Sequence, residues 1–146
     1  MSHDDWKGAT HAQTAAQPKL AVGVDLVRVD EVQAALSHFS DRYLRRIFTA
    51  HEVACATGDG QVRARHLAAR FAAKEAAMKA LGPSDRLPAW RSIEVRQEPS
   101  GSCTLQLSGY AAELARRAHL SEFAVSLSHE GNLAVAVVVA LGQGDA

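Results

Sequence analysis

The sequence has few cysteines, few aromatic residues and no excess of charge of either sign, and these shortages exclude several classes of protein. Two cysteines in 146 residues are too few for a disulfide scaffold and show no zinc-type pairing. A formal net charge of zero provides no global field that would attract nucleic acid or an anionic membrane. The longest apolar run, residues 133–141, is well short of the about 20 residues needed to span a bilayer. We therefore expect a cytoplasmic protein that binds neither nucleic acid nor membrane.

The pattern of apolar residues predicts one α+β domain behind a short leader. Residues 1–19 are polar and without periodicity, which indicates a flexible leader, and residues 20–146 form the domain. Strands are predicted at 20–29, 92–97, 103–107, 122–129 and 133–141, and helices at 30–38, 41–48, 62–81 and 108–118. This order predicts a mostly antiparallel sheet packed on the long helix at 62–81. The spacing of Thr49 and Glu52 is that of a capping box, which predicts a further helix start.

Glu75 interrupts the apolar face of the long predicted helix. It follows Phe71 by four residues and precedes Met78 by three, on the face that begins with Leu67. Burying a lone carboxylate is unfavourable unless it meets a cation, a set of hydrogen bonds or a pocket. Two explanations stay open: a site that uses the charge, or an edge position where Glu75 reaches water or pairs with Lys79.

Asp25 poses the same question in the first predicted strand, between Val24 and Leu26. It shares a face with Gly23, which leaves space beside the carboxylate. Hydrogen bonds to backbone amides at a strand end would explain Asp25 without any function. Two carboxylates on a strand and a helix that pack together suggest instead a site for a hard cation such as magnesium, which takes oxygen ligands and substrate phosphates. Acid–base catalysis by the pair is less favoured, because no aromatic residues nearby in sequence would line a sugar site.

Positively charged residues lie beside Glu75 on the same helix. Arg70 and Lys74 are one turn apart and face together, so they form either a solvated face or a clamp for phosphate oxygens. His129 ends a predicted strand directly after Ser128. These two residues project to opposite faces and do not make a Ser–His nucleophile pair, so we expect His129 to be a structural or ligand-contacting residue.

Five blocks of the chain, taken in order, resemble the holo-acyl-carrier-protein synthases, the small single-domain 4′-phosphopantetheinyl transferases. The blocks are Gly23-Val24-Asp25-Leu26-Val27; Arg46-Ile47-Phe48-Thr49 followed by Glu52; Arg70-Phe71-Ala72-Ala73-Lys74-Glu75-Ala76 continued by Lys79-Ala80-Leu81-Gly82; Trp90 followed by Ile93-Glu94-Val95; and Val125-Ser126-Leu127-Ser128-His129-Glu130. The third block is the most specific. Order and spacing agree from about residue 20 to residue 141, so only the leader lies outside the resemblance.

The resemblance implies the fold, the reaction and the site residues of that family. A serine hydroxyl of an apo carrier protein attacks the β-phosphate of coenzyme A, phosphopantetheine is transferred, and 3′,5′-adenosine bisphosphate leaves. Asp25 and Glu75 are implied to bind Mg²⁺, which also holds the coenzyme A pyrophosphate, and catalysis is assigned to them with Lys74. Arg70, Lys74 and His129 are implied to contact coenzyme A. Glu75, or a metal-bound water near it, is the candidate base. The family also implies a homotrimer with active sites between subunits.

Carrier proteins of this kind usually present an acidic helix, so the enzyme needs positive charge near the approaching serine. The first predicted helix begins with Asp30 and Glu31, in a stretch where a basic residue is common in the family. We therefore assign carrier docking to Arg42, Arg45 and Arg46, whose spacing of three and four residues puts them on one side of a helix. A solvated helix face is the alternative reading of this cluster.

Two departures from the family pattern keep other functions open. One is the acidic start of the first helix, and the other is residues 83–88, where a small glycine-containing loop is usual. A catalytically silent paralogue that binds coenzyme A or a carrier protein would fit both departures. A different phosphate-transferring metalloenzyme on a similar fold is the second alternative.

Overall fold

The computed structural model describes residues 17–145, so most of the predicted leader lies outside the described residues. The elements are β1 (Pro18–Arg28), α1 (Val29–Ile47), α2 (Ala50–Cys55), α3 (Gly60–Leu81), a 3-10 turn (Trp90–Ser92), β2 (Ile93–Gln97), β3 (Cys103–Leu107), α4 (Gly109–Arg117), β4 (Leu120–Glu130) and β5 (Leu133–Gln143). Pro18 and Lys19, which we had assigned to the leader, are strand residues paired with β5. Proline is tolerated there because it is the first residue of a strand at the sheet edge.

The strands form an antiparallel sheet in the order β1-β5-β4 and a separate β2–β3 hairpin, which confirms the predicted α+β class. Helix α3 packs across β1 and β5, with α1 on its other side. The face of β5 that meets α3 is made of small buried side chains, namely Ala134, Ala136, Val138 and Ala140. Alanines are also buried along most of α3. Small residues on both surfaces allow the helix to lie close to the sheet.

Helix α3 and the sheet approach each other closely at Gly23 in β1. A Cβ atom built on Gly23 would lie 1.8 Å from the backbone oxygen of Ala76, far inside any permitted contact. Only glycine fits where two backbones meet in this way. Side chains alternate along a strand, so Asp25 projects from the same face as Gly23, towards α3 beside Glu75. The glycine in the first sequence block thus brings the two carboxylates together.

Helix α1 corrects the prediction of two helices with Asp30 as the first cap. It is one continuous helix, because no glycine or proline interrupts residues 38–41. Its first amide groups are satisfied from the β4–β5 turn: Val29 N donates to Asn132 O and Asp30 N donates to Asn132 Oδ1, both at 2.9 Å. Asp30 lies inside the first turn, where its negative charge favours the helix dipole.

Three other local predictions are confirmed. Thr49 and Glu52 form the capping box at the start of α2, and Gly82 ends α3 in the left-handed conformation with φ of 60°. The β2–β3 hairpin pairs as its sequence pattern predicted. Within residues 17–145, no helix combines the length and apolar character needed to cross a membrane.

The sheet face turned away from α3 carries large apolar side chains that are exposed in the single chain. They are Leu20, Val22, Val24 and Leu26 on β1, and Leu133, Val137 and Leu141 on β5. The register places them together, for example Val24 opposite Val137. A contiguous apolar surface of this kind marks an interaction site more often than free solvent-exposed surface.

Candidate active site

Asp25 and Glu75 lie side by side where β1 crosses α3. Burial, a hydrogen bond with Asp25 and the charge of Asp25 together raise the pKa of Glu75 to about 7, and Lys79 opposes the shift. Two carboxyl groups this close do not both ionise freely near neutrality, so the pair holds one proton in the absence of a cation. The sequence places one carboxylate on an apolar strand face and one on an apolar helix face. In the structure the two lie together.

Asp25 has one satisfied and one unsatisfied oxygen. Its Oδ1 accepts a hydrogen bond from Lys79 Nζ at 3.0 Å, and Lys79 also donates to Val24 O at 2.9 Å. Its Oδ2 is buried and, when both carboxyl groups are ionised, has no hydrogen-bond donor within the described chain; only the proton of a neutral Glu75 would supply one. Lys79, one of the partners considered for Glu75, thus forms its ion pair with Asp25 instead. An unsatisfied carboxylate oxygen beside a second carboxyl group is a fitting position for a cation.

The donor set at this position fits magnesium. Within residues 17–145, no three histidine, cysteine, aspartate or glutamate side chains converge as a closed metal site would require. Asp25 and Glu75 offer only hard oxygen donors, and a cation held by two carboxylates must complete its coordination with water or substrate oxygens. That is the usual manner of Mg²⁺ binding, in which protein carboxylates share the ion with phosphates.

Lys74 occupies a different environment from the one that the sequence predicted. Its side chain is fully buried, 2.7 Å from Glu52 Oε1, and its Nζ also donates to Trp90 O and Ile93 O. Burial lowers the pKa of Lys74, and the Glu52 carboxylate opposes that effect. A saturated ammonium group in the core is neither a solvated face nor a free clamp for phosphate oxygens.

Arg70 is also buried, at 5% exposure, but it is less completely satisfied. Its Nη1 donates to His66 O at 3.1 Å and its Nη2 to Gln97 Oε1 at 3.2 Å, while Nε has no partner among residues 17–145. His66 Nδ1 is likewise buried and without a partner in this part of the chain. Burial lowers the pKa of His66, as do the nearby charges of Arg70 and, to a smaller degree, His129. Arg70 therefore contacts His66, a residue that sequence reasoning missed, and His129 lies near enough for its charge to lower the pKa of His66.

The predicted docking arginines are exposed on the C-terminal half of α1. Arg45 lines a cavity of about 540 Å³ together with Arg91, above the apolar side chains of Leu44, Phe48 and Val53. Burial raises the pKa of Tyr43, which lies in this part of α1, and the charge of Glu75 raises it further. This half of α1 is therefore near the carboxylates. Nothing in the sequence indicates that Arg91 lies beside Arg45, because the cavity between them forms only when the 3-10 turn packs on α1.

Comparison with known proteins shows which family the chain resembles. A family model described as the 4′-phosphopantetheinyl transferase superfamily matches residues 21–138. The chain is 45% identical over 130 residues to a holo-[acyl-carrier-protein] synthase of Chloroflexus aurantiacus, a match that covers 81% of this chain and 95% of the relative. The holo-[acyl-carrier-protein] synthase of Herpetosiphon aurantiacus is 40% identical over 131 residues, covering 84% and 99%.

A solved structure shows the same fold. The ACPS–CoA complex of Chronobacterium ammoniagenes superposes with a TM-score of 0.72 at 33% sequence identity, covering 87% of this chain and 99% of that one. The coverage shows that this chain spans nearly the whole length of the proteins it matches.

The proton shared by the carboxylates predicts how stability depends on pH in metal-free protein. The folded pKa of Glu75, about 7, exceeds its ordinary value of 4.5. The stabilising effect of its proton is therefore complete below about pH 4.5 and is lost as the pH rises through 7. We expect the free energy of unfolding of the wild type, relative to Glu75→Gln, to fall between pH 5 and pH 8. Urea unfolding in EDTA measures this difference, and a pH-independent difference would contradict the shared proton.

Proposed function

The chain belongs to the 4′-phosphopantetheinyl transferase superfamily, and from that membership we propose that it is a holo-[acyl-carrier-protein] synthase. It transfers 4′-phosphopantetheine from coenzyme A to a serine of an apo carrier protein. The observation that carries the proposal is the unsatisfied Asp25 oxygen beside the raised-pKa carboxyl of Glu75. The close similarity to named synthases over nearly their full length supports the substrate assignment.

In the proposed reaction the serine oxygen forms a bond to the β-phosphorus of coenzyme A. The bond between that phosphorus and the bridging oxygen breaks, and 3′,5′-adenosine bisphosphate leaves with the bridging oxygen. Asp25 and Glu75 would hold Mg²⁺, which when bound neutralises charge on the pyrophosphate. Lys79, fixed by Asp25 and Val24, places a further positive charge beside the carboxylates. Glu75, or a water next to it, accepts the serine proton.

Coenzyme A binding is proposed to involve Arg70 and His129, as the resemblance implied, with His66 near both. The supporting observation is the buried Arg70 Nε, which has no hydrogen-bond partner among the described residues. An unsatisfied buried donor is costly, and a phosphate oxygen would satisfy it. Lys74, which the resemblance implied as a further contact, is excluded from this proposal because its three donors are occupied within the chain.

The first test is transfer itself. We expect mass spectrometry to show a phosphopantetheine adduct on an apo carrier incubated with coenzyme A and Mg²⁺. Asp25→Asn and Glu75→Gln should each lower the rate about 100-fold or more without unfolding the protein, because both remove a charge from the cation site. Glu113→Gln on α4 is the matched control. Binding of coenzyme A with no adduct on any carrier would favour a silent paralogue.

Carrier docking is proposed at Arg42, Arg45 and Arg46, extended by Arg91 across the apolar cavity. An acidic amphipathic helix suits a surface with an apolar floor and arginines at its rim. Arg45→Glu should lower the association rate of the carrier about 10-fold at low salt, with a smaller effect at high salt and no change in coenzyme A affinity.

Stopped-flow mixing over a salt series measures this association. Arg117→Glu, which makes the same charge change on exposed α4, is the control. Equal carrier association rates for Arg45→Glu and the wild type would place the docking surface elsewhere.

A homotrimer is proposed, with the exposed apolar face of β1 and β5 buried between subunits. The supporting observation is the row of large apolar side chains that the single chain leaves uncovered. Val22→Glu should shift the protein to monomers, because it places a charge in the centre of that face, whereas Thr104→Glu on exposed β3 should not. Sedimentation velocity at micromolar concentration distinguishes the states, and a fully active wild-type monomer would rule the assembly out.

A further inference from the structure

A buried ion pair is formed by Lys74, the residue that precedes Glu75 in α3, and Glu52. The side chains of Glu52 and Lys74 are both fully buried, with Lys74 Nζ at 2.7 Å from Glu52 Oε1. Removing two charges from water is unfavourable, and an apolar pair of similar volume is often at least as stable. Stability alone is therefore a poor explanation of this pair, which the proposed chemistry does not use.

Glu52 connects three separate parts of the fold through its two oxygens. Its Oε1 accepts hydrogen bonds from Thr49 N, at 2.9 Å, and from Lys74 Nζ, while Oε2 accepts from Val95 N at 3.0 Å. The carboxylate therefore ties the start of α2 to the middle of α3 and to β2. Each of these bonds is buried or partly buried, so a loss is not readily replaced by water.

Lys74 completes the same connection from the side of α3. Besides the bond to Glu52, its Nζ donates to Trp90 O at 3.1 Å and to Ile93 O at 2.5 Å. An ammonium group has three donors, and all three are occupied. The ring of Phe48 lies 5.8 Å from Nζ and covers the pair. Helix α3 is thus fastened at Lys74 to the 3-10 turn and to the first residue of β2.

The residue after Lys74 is Glu75, and neighbouring side chains on a helix diverge by about 100°. One side of α3 is therefore held at Lys74, while the other is held against β1 by the backbone contact of Ala76 with Gly23. We propose that Glu52 and Lys74 are positioning residues: their ion pair fixes the rotation and height of α3, and so sets the carboxylate of Glu75 against Asp25. This inference rests on the proposed cation site.

The test is a double variant, Glu52→Gln with Lys74→Met, which removes both charges and keeps side-chain size. We expect it to fold, as measured by urea unfolding, because no unpaired charge is left in the core. Its affinity for Mn²⁺ in the presence of coenzyme A, measured by electron paramagnetic resonance, should fall about 10- to 100-fold, as is typical when groups that orient metal ligands are lost. The kcat should fall with it.

Leu120→Ala is the matched control, because Leu120 is buried at the far end of the sheet from Asp25. It should lower stability and leave Mn²⁺ affinity unchanged. If the double variant does not fold, Glu52→Asp keeps both charges but shortens the reach of the carboxylate, and the same loss of Mn²⁺ affinity is expected. Wild-type Mn²⁺ affinity in either folded variant would overturn the positioning role.

The wild type separates failure of this inference from failure of the proposed function. A wild type that binds Mn²⁺ and modifies a carrier, beside a variant that does both equally well, refutes only the role of Glu52 and Lys74. A wild type that does neither refutes the proposed function and with it the cation site on which the inference depends.

Discussion

The contact between the backbones of Gly23 and Ala76 is the constraint on which the rest of the site depends. A strand and a helix ordinarily keep side chains between them, and here a missing side chain lets them touch. Asp25 is the next residue of β1 on the side that faces α3. The contact places it beside Glu75, the residue that precedes Ala76 in the helix. Two carboxylates are thereby brought together from parts of the sequence fifty residues apart, at the cost of a shared proton near neutral pH.

Helix α3 carries two lysines in opposite electrostatic circumstances. Lys74 is buried in the core with Glu52, whereas Lys79 is more than half exposed and donates to Oδ1 of Asp25. Coulomb attraction is strong and unscreened around the first, and is weakened by solvent around the second. The buried pair therefore suits a fixed structural role, and the exposed lysine can yield as a charged substrate enters. One helix thus supports both a rigid side and an adaptable side.

The sequence predicted the fold class, the capping box of α2, the end of α3 and the residues of the carboxylate pair. Those features depend on local chemistry or on short motifs, as with Thr49 and Glu52. It failed where distant segments decide the outcome. Asn132 caps α1 from a turn about one hundred residues later, so Asp30 was wrongly given that role. The burial of Lys74 could not be predicted, because the carboxylate that neutralises it, Glu52, belongs to another helix. The capping box of α2 is a sufficient local explanation for Glu52, so the sequence gives no hint of the ion pair.

The pairing of β1 with β5 has a consequence for how the chain comes into being. Within residues 17–145, β1 pairs with β5 alone, so Pro18–Arg28 has no strand partner there until Leu133–Gln143 has been synthesised. A growing chain can form α1 and α3 early, since helices rely on nearby residues, but the sheet must wait. During that interval the backbone N–H and C=O groups of β1 lack their strand partners and its valines and leucines are exposed, and a nascent chain in this state is prone to associate with others or to engage a chaperone. Asp25 is therefore fixed in place by the emergence of β5, and not by the emergence of the helices.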